Sequence, residues 1–462
     1  MPLELVAEEG SPIEMFSERT DFANALYFAK MHQGKILYDP QLQQWFEFDG
    51  KRFSAVPAGV IRGKYVEDFI LALIGAAAEE PDPALAAEKS DWAEECQGFY
   101  KLKAIVERAA DCGALSAKTD TFDADPYALN VQNGVIDLRT GELRARMGAD
   151  RFTVVSPTAF GTNAKCPMFE KFIDSTLPDP EVRAFMRRSL GYFLTGLVSE
   201  QNIWFILGRG GTGKSTLFLI ISNILGVGEH VHFTDPNFLS ERSNEKHLTE
   251  LMSLKGKRLV VCPELPARRA FNEARIKTLT GGEPITANKM RQDEVTFSPT
   301  HKLVAYANHT PRLLTGGDSL TRRLLLVPFD TKVDPNTLDK NLCAKISEHE
   351  AEGVLGWLVR ACLEWQKEGL NPPESMKAGV AEYINDESPF SDFFSEKLEF
   401  NNHTETEFYR IYQTYTVWCR EMSMAPESQV RVKQELVAAG AIKMVDKDKR
   451  ARLKYKGVVL FP

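Results

Sequence analysis

The sequence is short of the residues that build disulfide scaffolds and zinc fingers. It has only seven cysteines in 462 residues, and they are scattered, odd in number and never spaced as C-x-x-C. This pattern excludes a disulfide framework and argues against a zinc finger. A reducing compartment fits it better than an oxidising one.

Long apolar segments are lacking as well. The longest apolar run, from Phe69 to Ala78, has ten residues, about half of the ~20 that a membrane-spanning helix needs. The first residues, MPLELVAEEGSPIEMF, are acidic and lack the basic-then-apolar order of a secretory signal. We therefore expect a soluble, intracellular protein with no membrane partner.

The chain has no net positive charge that would draw the whole molecule onto nucleic acid. It carries 56 lysines and arginines against 64 aspartates and glutamates, a net charge of −8, so any nucleic-acid contact must come from a local patch. The segment from Lys255 to Arg323 is a candidate, with 13 basic and 6 acidic residues, a net of +7. A second basic run is equally well explained as a solvated turn: Lys443, Lys447, Lys449, Arg450, Arg452, Lys454 and Lys456.

The residues that are present predict a multidomain α/β protein. The hydrophobic fraction of 43% is globular, and domains of roughly 150 residues would number about three. After Glu200, short apolar runs (IWFIL, RLVVC, KLVAYA, RRLLLVPF) alternate with helix-like stretches, which favours a largely parallel sheet. The predicted divisions are a mixed α+β N-terminal region (1–165), a helical collar (166–199), the α/β core (200–335), a helical extension (336–375) and a winged-helix-like C-terminal domain (376–462).

The strongest chemical signal is the string GRGGTGKS, a complete G-x-x-x-x-G-K-[ST] motif. It lies between the apolar strand Ile203–Leu207 and a helix over Thr216–Leu225, which is the context that a phosphate-binding loop requires. Lys214 is predicted to neutralise the β- and γ-phosphates and Ser215 to bind Mg²⁺. The predicted nucleotide-binding residues are Gly208, Arg209, Gly210, Gly211, Thr212, Gly213, Lys214, Ser215 and Thr216.

Two polar residues at strand ends are candidates for the hydrolytic step. Glu264 ends the run RLVVCPE and is predicted to orient and deprotonate water, although a surface glutamate can follow a strand in the same way. Asn308 ends the next run and can hydrogen-bond the γ-phosphate and the water, unless it is an ordinary turn asparagine. Pro263 stands where many such enzymes have a first acid. Mg²⁺ is therefore expected to rely on Ser215, with Glu264 contacting it at most through water.

Arg322 and Arg323 follow a Gly-Gly-Asp loop and precede the strand Leu324–Phe329. Two adjacent arginines at such a place are either solvated surface residues or an arginine finger that reaches the nucleotide of a neighbouring subunit. Taken alone, the residues favour the surface interpretation.

The order and spacing of these motifs resemble the superfamily 3 helicases of viruses, phages and plasmids, and in particular their D5-like (primase-)helicase branch. The matching strings are GRGGTGKST, RLVVCPEL, IKTLTGGEPITANKMRQDEVTFSPTHKLVAYANHTP and SLTRRLLLVPF. Upstream, ALNVQNGVIDLRTGEL and PMFEKFIDSTLPDPEVRAFMRRSLGYFLTG resemble the D5 N-terminal region. The resemblance implies an AAA+-like P-loop ATPase core. It also implies roles for particular residues: Walker A residues Lys214 and Ser215, a catalytic Glu264, a sensor Asn308, and a finger acting in trans at Arg322 or Arg323, with the distance to the strand favouring Arg323.

The same resemblance makes Gly281–Phe297 a hairpin that projects into the pore of a ring. Lys289 and Arg291, two residues apart, would lie on one side of an extended arm and contact successive DNA phosphates; two exposed hairpin charges are the alternative. The implied protein is an ATP- and Mg²⁺-dependent DNA helicase of a phage, plasmid or mobile element. It would translocate on single-stranded DNA as a homo-hexamer during replication in the cytoplasm of a bacterial host. The N-terminal region lacks the acidic and histidine motifs of a primase, so primase activity would come from a separate chain.

Two other functions are compatible with the same core. One is a P-loop NTPase of a defence or packaging system that does not separate strands. The other is an ATP-switched replication initiator that binds an origin through its C-terminal domain.

Overall fold

The computed structural model describes residues 19–240, 247–263, 272–288, 294–307, 318–333, 339–386, 389–422, 426–444 and 453–461. The N-terminal part combines helices with two small antiparallel sheets, ordered β1-β2-β3 and β4-β5-β6. Its elements are α1 (Asp21–Met31), β1 (Ile36–Asp39), β2 (Gln44–Phe48), β3 (Phe53–Val56), α2 (Val66–Ala78), α3 (Pro83–Cys96), α4 (Phe99–Ala110), β4 (Ala128–Val131), β5 (Gly134–Asp137) and β6 (Glu142–Arg144). Helical turns at Ala58–Val60 and Ile61–Tyr65 lead into α2.

The middle of the chain forms a sheet of five described strands in the order β13-β7-β12-β9-β8, and every neighbouring pair in it is parallel. Two helices precede it, and a separate antiparallel pair, β10 and β11, follows α9. The elements are α5 (Pro167–Thr176), α6 (Pro180–Tyr192), β7 (Ile203–Leu207), α7 (Lys214–Leu225), β8 (Val231–Phe233), α8 (His247–Met252), β9 (Leu259–Cys262), α9 (Glu273–Thr280), β10 (Ile285–Asn288), β11 (Glu294–Phe297), β12 (Lys302–Ala307), α10 (Asp318–Thr321) and β13 (Leu324–Pro328).

The parallel sheet is covered on both faces, which is why its strands read as continuous apolar runs. In β7, Trp204 and Ile206 belong to a buried cluster that also contains residues of α5, α6 and α7. Ile203 and Phe205 point the other way, into a second cluster shared with α9 and β10. The predicted mixed α/β fold with a parallel sheet is therefore confirmed.

Two buried basic side chains tie the amino-terminal edge of this sheet to the segments that precede it in the chain. The Arg258 guanidinium donates to the carbonyl oxygens of Pro126 at 2.7 Å, Ala128 at 2.8 Å and Leu194 at 2.9 Å. Lys302 Nζ donates to the carbonyl oxygen of Thr195. Burial lowers the pKa of Arg258 to about 10 and that of Lys302 well below its usual range. Replacing either side chain with an apolar one would leave buried carbonyls unpaired, at about 1–3 kcal/mol each.

The C-terminal part adds a helical layer and a small antiparallel sheet ordered β14-β16-β15. Its elements are α11 (Leu342–His349), α12 (Ala351–Glu368), α13 (Glu374–Asp386), α14 (Pro389–Lys397), β14 (Leu398–Glu407), α15 (Phe408–Glu421), α16 (Gln429–Ala438), β15 (Ile442–Lys443) and β16 (Lys454–Leu460). Phe393, Trp418 and Leu436 lie in the core that these last elements share. Within the described ranges, no helix is both long and apolar enough to cross a bilayer.

Buried histidines, including His32, His230 and His301, make the folded protein sensitive to acid, because burial lowers the pKa of each. Burial lowers the pKa of His32 to about 4, and burial beside Lys302 lowers the pKa of His301 to about 3. As the pH falls below about 6.5, the unfolded chain binds protons that the folded chain does not, so stability that is present at pH 7 is lost progressively toward these values. Each histidine then lowers the free energy of unfolding by about 1.4 kcal/mol per pH unit. Urea unfolding at pH 7 and pH 5 measures the loss.

His301→Leu is the matched variant for this prediction. Neither ring nitrogen of His301 has a hydrogen-bond partner among the described residues, so an apolar side chain leaves no polar group unpaired there. We expect the variant to be at least as stable as the wild type at pH 7. Between pH 7 and pH 5 it should lose about 2 kcal/mol less stability than the wild type. Equal losses of unfolding free energy in the wild type and the variant would contradict the role given to His301.

Candidate nucleotide-binding site

The loop between β7 and α7 bends at two glycines that no other residue can replace without strain. Gly208 has φ +156°, and a Cβ added there would lie 2.0 Å from the carbonyl oxygen of Phe329. Gly213 has φ +87°, and its added Cβ would lie 3.0 Å from Thr176 Cγ2. The motif glycines therefore allow the backbone to approach its neighbours closely as well as to turn.

Lys214 places a positive charge on the inner side of this loop. Its side chain is buried, with 6% exposed. Its Nζ donates to the carbonyl oxygens of Gly208 at 2.5 Å and Arg209 at 2.9 Å, and to Thr212 Oγ1 at 3.4 Å. Thr212 in turn donates to the Arg209 carbonyl at 3.0 Å. The ammonium is thus held within the curve of the loop, where a bound anion would meet it.

The first turn of α7 opens toward solvent beside this lysine. Ser215 is exposed and Thr216 is half-buried, and the unpaired N–H groups of a helix start give that end a partial positive charge. Arg209, Gly210 and Gly211 are exposed in the loop. The nine predicted residues therefore form one loop and the first helical turn after it, and their chemistry fits a phosphate chain with its metal ion.

The neighbouring strands end at the same edge of the sheet as the loop. In β12, Ala307 pairs with Leu207, the residue before Gly208, and Ala305 pairs with Cys262, the last residue of β9. Strand β12, which leads to Asn308, therefore ends next to the loop, and β9, which leads to Glu264, ends one strand further away. Glu264 and Asn308 themselves lie outside the described residues.

The arginine pair lies at the opposite edge of the sheet. Arg323 precedes β13, whose first residue, Leu324, pairs with Ile203 at the start of β7. The four residue steps from Ile203 to Leu207 span roughly 13 Å, so this chain does not bring its arginines to its own loop. Arg322 is exposed, whereas Arg323 is half-buried.

The β10–β11 hairpin pairs Ile285 with Phe297 and Asn288 with Glu294, and a contact of 3.0 Å joins the hydroxyls of Thr286 and Thr296. The antiparallel pairing agrees with the hairpin that the family resemblance implies for Gly281–Phe297, and the position of that hairpin in a pore stays a prediction. The predicted DNA-binding residues, Lys289 and Arg291, lie outside the described residues.

Sequence reasoning missed that part of the basic segment is internal. Arg258 and Lys302 are 5% and 2% exposed, so two of the thirteen basic residues between Lys255 and Arg323 cannot add to a surface patch. Their positions beside apolar strand residues are a signal of burial that a charge count ignores. In the described part of the chain, no group of three or more His, Cys, Asp or Glu residues could hold a metal ion.

Comparison with known proteins finds two matching family models and several viral relatives. Residues 25–178 match a family described as D5 N terminal like, and residues 206–323 match a family of unknown function, DUF5906. A protein named "Putative helicase L207/L206" from Acanthamoeba polyphaga mimivirus is 24% identical over 317 residues, covering 64% of this chain and 33% of the relative. A protein named "Putative primase C962R" from African swine fever virus is 23% identical over 247 residues, covering 51% of this chain and 26% of the relative. The chain thus spans about a quarter to a third of the length of these relatives.

The fold also resembles a solved structure. The apo structure of the NrS-1 C terminal region superimposes with a TM-score of 0.51 at 13% identity, covering 94% of this chain and 99% of that one. At this identity the likeness concerns the fold alone.

Proposed function

Because this chain belongs to the D5-like family of primase–helicases, we propose that it is an ATP-dependent DNA helicase that translocates on single-stranded DNA during replication of a phage, plasmid or mobile element. The observation that carries the proposal is the loop at Gly208–Thr216. Its buried Lys214 lies at the carboxyl edge of a parallel sheet, the edge at which the two strands that lead to Glu264 and Asn308 also end.

The loop residues have separate tasks toward ATP and Mg²⁺. Lys214 would exchange its loop carbonyl partners for phosphate oxygens, and the N–H groups that open α7 would bind the same chain of phosphates. Ser215 would offer its hydroxyl to the metal ion, which neutralises charge on the β- and γ-phosphates when bound. Glu264 is proposed to take the proton of the attacking water and Asn308 to orient it. Both assignments come from their places in the motif order.

The distance between the two sheet edges supports assembly into a ring, with a hexamer as the proposed state. An arginine roughly 13 Å of strand away from its own loop can serve a nucleotide only in a neighbouring molecule. Each ATP would then lie between two copies of the chain, and a finger from the Arg322–Arg323 pair would complete the site. Hydrolysis at the interface would shift the β10–β11 hairpin, through which Lys289 and Arg291 are proposed to grip DNA.

Two finer features of the fold belong to the same proposal. The strand order β13-β7-β12-β9-β8, with the phosphate loop after a central strand, supports an AAA+-like P-loop core of the superfamily 3 type. The helices α15 and α16, followed by the β15–β16 pair, support a winged-helix-like C-terminal domain. A separate primase is the proposed partner in replication.

The proposal is tested with the wild-type chain, ATP, Mg²⁺ and defined DNA. We expect ATP turnover that single-stranded DNA stimulates, separation of a forked duplex, and a particle mass of a ring with an ATP analogue and oligo-dT. Turnover without strand separation would instead indicate a packaging or defence NTPase. Tight binding to one duplex sequence, with ATP needed only as a switch, would indicate an origin-binding initiator.

A further inference from the structure

The side chains of Arg322 and Arg323 diverge although their backbone is fixed in one place. The carbonyl oxygen of Arg323 accepts from the Ile203 amide at 2.9 Å, and Asn202 Nδ2 donates to the carbonyls of both arginines, at 3.3 and 3.2 Å. From this common anchor at the start of β7, Arg322 extends into solvent. Arg323 turns inward instead.

The inward side chain meets the end of α9, just before the β10–β11 hairpin. Arg323 Nη1 donates to Thr280 Oγ1 at 3.3 Å and to the carbonyl oxygen of Gln201 at 3.4 Å. Thr280 is buried, with 4% exposed, and its hydroxyl donates to the Ile276 carbonyl at 2.7 Å. Three residues separate Gly281 from the first residue of β10, Ile285. A displacement of Arg323 therefore acts on the base of the hairpin across a very short stretch of chain.

Gln201 makes a second connection between the same two places. Its side-chain Nε2 donates to the carbonyl oxygen of Gly281 at 3.1 Å, while its own carbonyl accepts from Arg323. Gln201 has φ +53°, a left-handed conformation that is strained for a residue other than glycine. Such strain persists only where the surrounding contacts enforce it, and it is concentrated at functional sites. A glycine would relieve it, yet would lose the side-chain contact.

The Arg323 contacts are also incompletely satisfied in this state. Within the described chain, the buried Arg323 Nε has no hydrogen-bond partner, and both Nη1 contacts are long for N–H···O bonds. A small shift of α9 toward the arginine would shorten the Thr280 contact. Arg323 and the end of α9 can therefore adopt a second arrangement with shorter hydrogen bonds. An element that couples two sites needs two such discrete arrangements.

We propose that the pair divides its work: Arg322 is the finger that reaches the neighbour's nucleotide, and Arg323 is a positioning residue that transmits the state of that interface to the hairpin through Thr280 and Gln201. The inference rests on the proposed function, because it assumes a nucleotide at the interface and DNA at the hairpin. Arg323 touches neither of them and acts on DNA only through the end of α9.

The test compares two threonines of the same helix. Thr280→Val removes the acceptor for Arg323 and keeps the side-chain shape. Thr278→Val is the matched control, since Thr278 is exposed and its hydroxyl donates to the Ala274 carbonyl within α9 at 3.1 Å. With oligo-dT as the probe, Thr280→Val is expected to keep DNA-free ATP turnover within about twofold and to lose about tenfold in its stimulation by DNA, a typical coupling between sites. Thr278→Val should behave as the wild type.

A second variant separates coupling from damage to the fold. Gln201→Gly removes the contact to Gly281 and relieves the left-handed strain, so we expect a higher Tm together with reduced DNA stimulation. A variant that is more stable but less coupled cannot owe its defect to unfolding. DNA should stimulate ATP turnover in the double variant, Thr280→Val with Arg323→Gln, as much as in Arg323→Gln alone, because both changes break the same contact.

The link would be overturned if DNA stimulated the ATP turnover of Thr280→Val and Gln201→Gly as it does that of the wild type. It would also be overturned if the losses of stimulation in Thr280→Val and Arg323→Gln multiplied fully in the double variant. Either result would leave the proposed function intact. A wild-type protein whose ATP turnover does not respond to DNA would overturn the proposed function and the link with it.

Discussion

Lys214→Met is expected to reduce ATP turnover by about 10³-fold, equivalent to about 4 kcal/mol of transition-state stabilisation. Lys214 is the buried cation within the loop, and its Nζ lies 2.5 and 2.9 Å from two loop carbonyls. Once its carbonyl partners are exchanged for phosphate oxygens, this cation stabilises the charge that develops on the transferred phosphoryl group. Methionine fills a similar volume, so the loop keeps its shape while losing the charge. Steady-state phosphate release measures the effect.

The fold should survive this change, because the loop is exposed at Arg209, Gly210 and Gly211, and water can replace the ammonium at the carbonyls that Lys214 leaves. A Tm within a few degrees of the wild type is therefore expected. Lys345→Met is the control: Lys345 is exposed and pairs with Asp339 at 2.6 Å, and such a surface pair is worth about 0–1 kcal/mol. If Lys214→Met kept its turnover while Lys345→Met was also normal, this loop would not be the site of hydrolysis.

The parallel sheet and its loop could be predicted from sequence because both are encoded locally. A strand that is buried on both faces has to be apolar along most of its length. The runs around Ile203, Leu259, Leu303 and Leu324 have this composition. The loop is encoded by glycines at fixed spacing before a lysine. Strand β8, with only three residues, gives no comparable signal, and neither does β14, whose partner β16 lies about fifty residues further along the chain.

Tertiary contacts decide what the pattern leaves open. The apolar spacing from Leu342 to Trp365 predicts one helix, but the structure divides it into α11 and α12 at Glu350. The Glu350 carboxylate accepts from the amides of Met168 and Phe169 at 2.9 and 3.0 Å, so it caps the start of α5, which is distant in sequence. The different surroundings of Arg322 and Arg323 have the same kind of origin. Adjacent identical residues carry no sequence signal for which side chain is enclosed.

Mixing two inactive variants, Lys214→Met and Arg322→Ala, is expected to restore ATP turnover. The ATP turnover of Arg322→Ala alone should fall about 10³-fold, the lower range for an arginine finger. The variant should still bind ATP, because Arg322 is exposed at the sheet edge opposite its own loop. In a mixed ring, an interface is complete when the Arg322→Ala copy provides the loop and the Lys214→Met copy provides the arginine. At equal concentrations, random assembly makes about a quarter of the interfaces complete.

The doubly substituted chain, Lys214→Met with Arg322→Ala, is the control for this restoration. Mixed with Lys214→Met it offers an arginine from one partner but no intact loop from either, so turnover should stay at the level of the single variants. Because all three proteins share the same surface except at Arg322, their assembly can be matched by particle mass before turnover is compared. Absence of restoration in rings of normal mass would mean that Arg322 does not act across the interface. Full turnover by Arg322→Ala alone would mean that Arg322 is not the finger, and that Arg323 or no arginine completes the site.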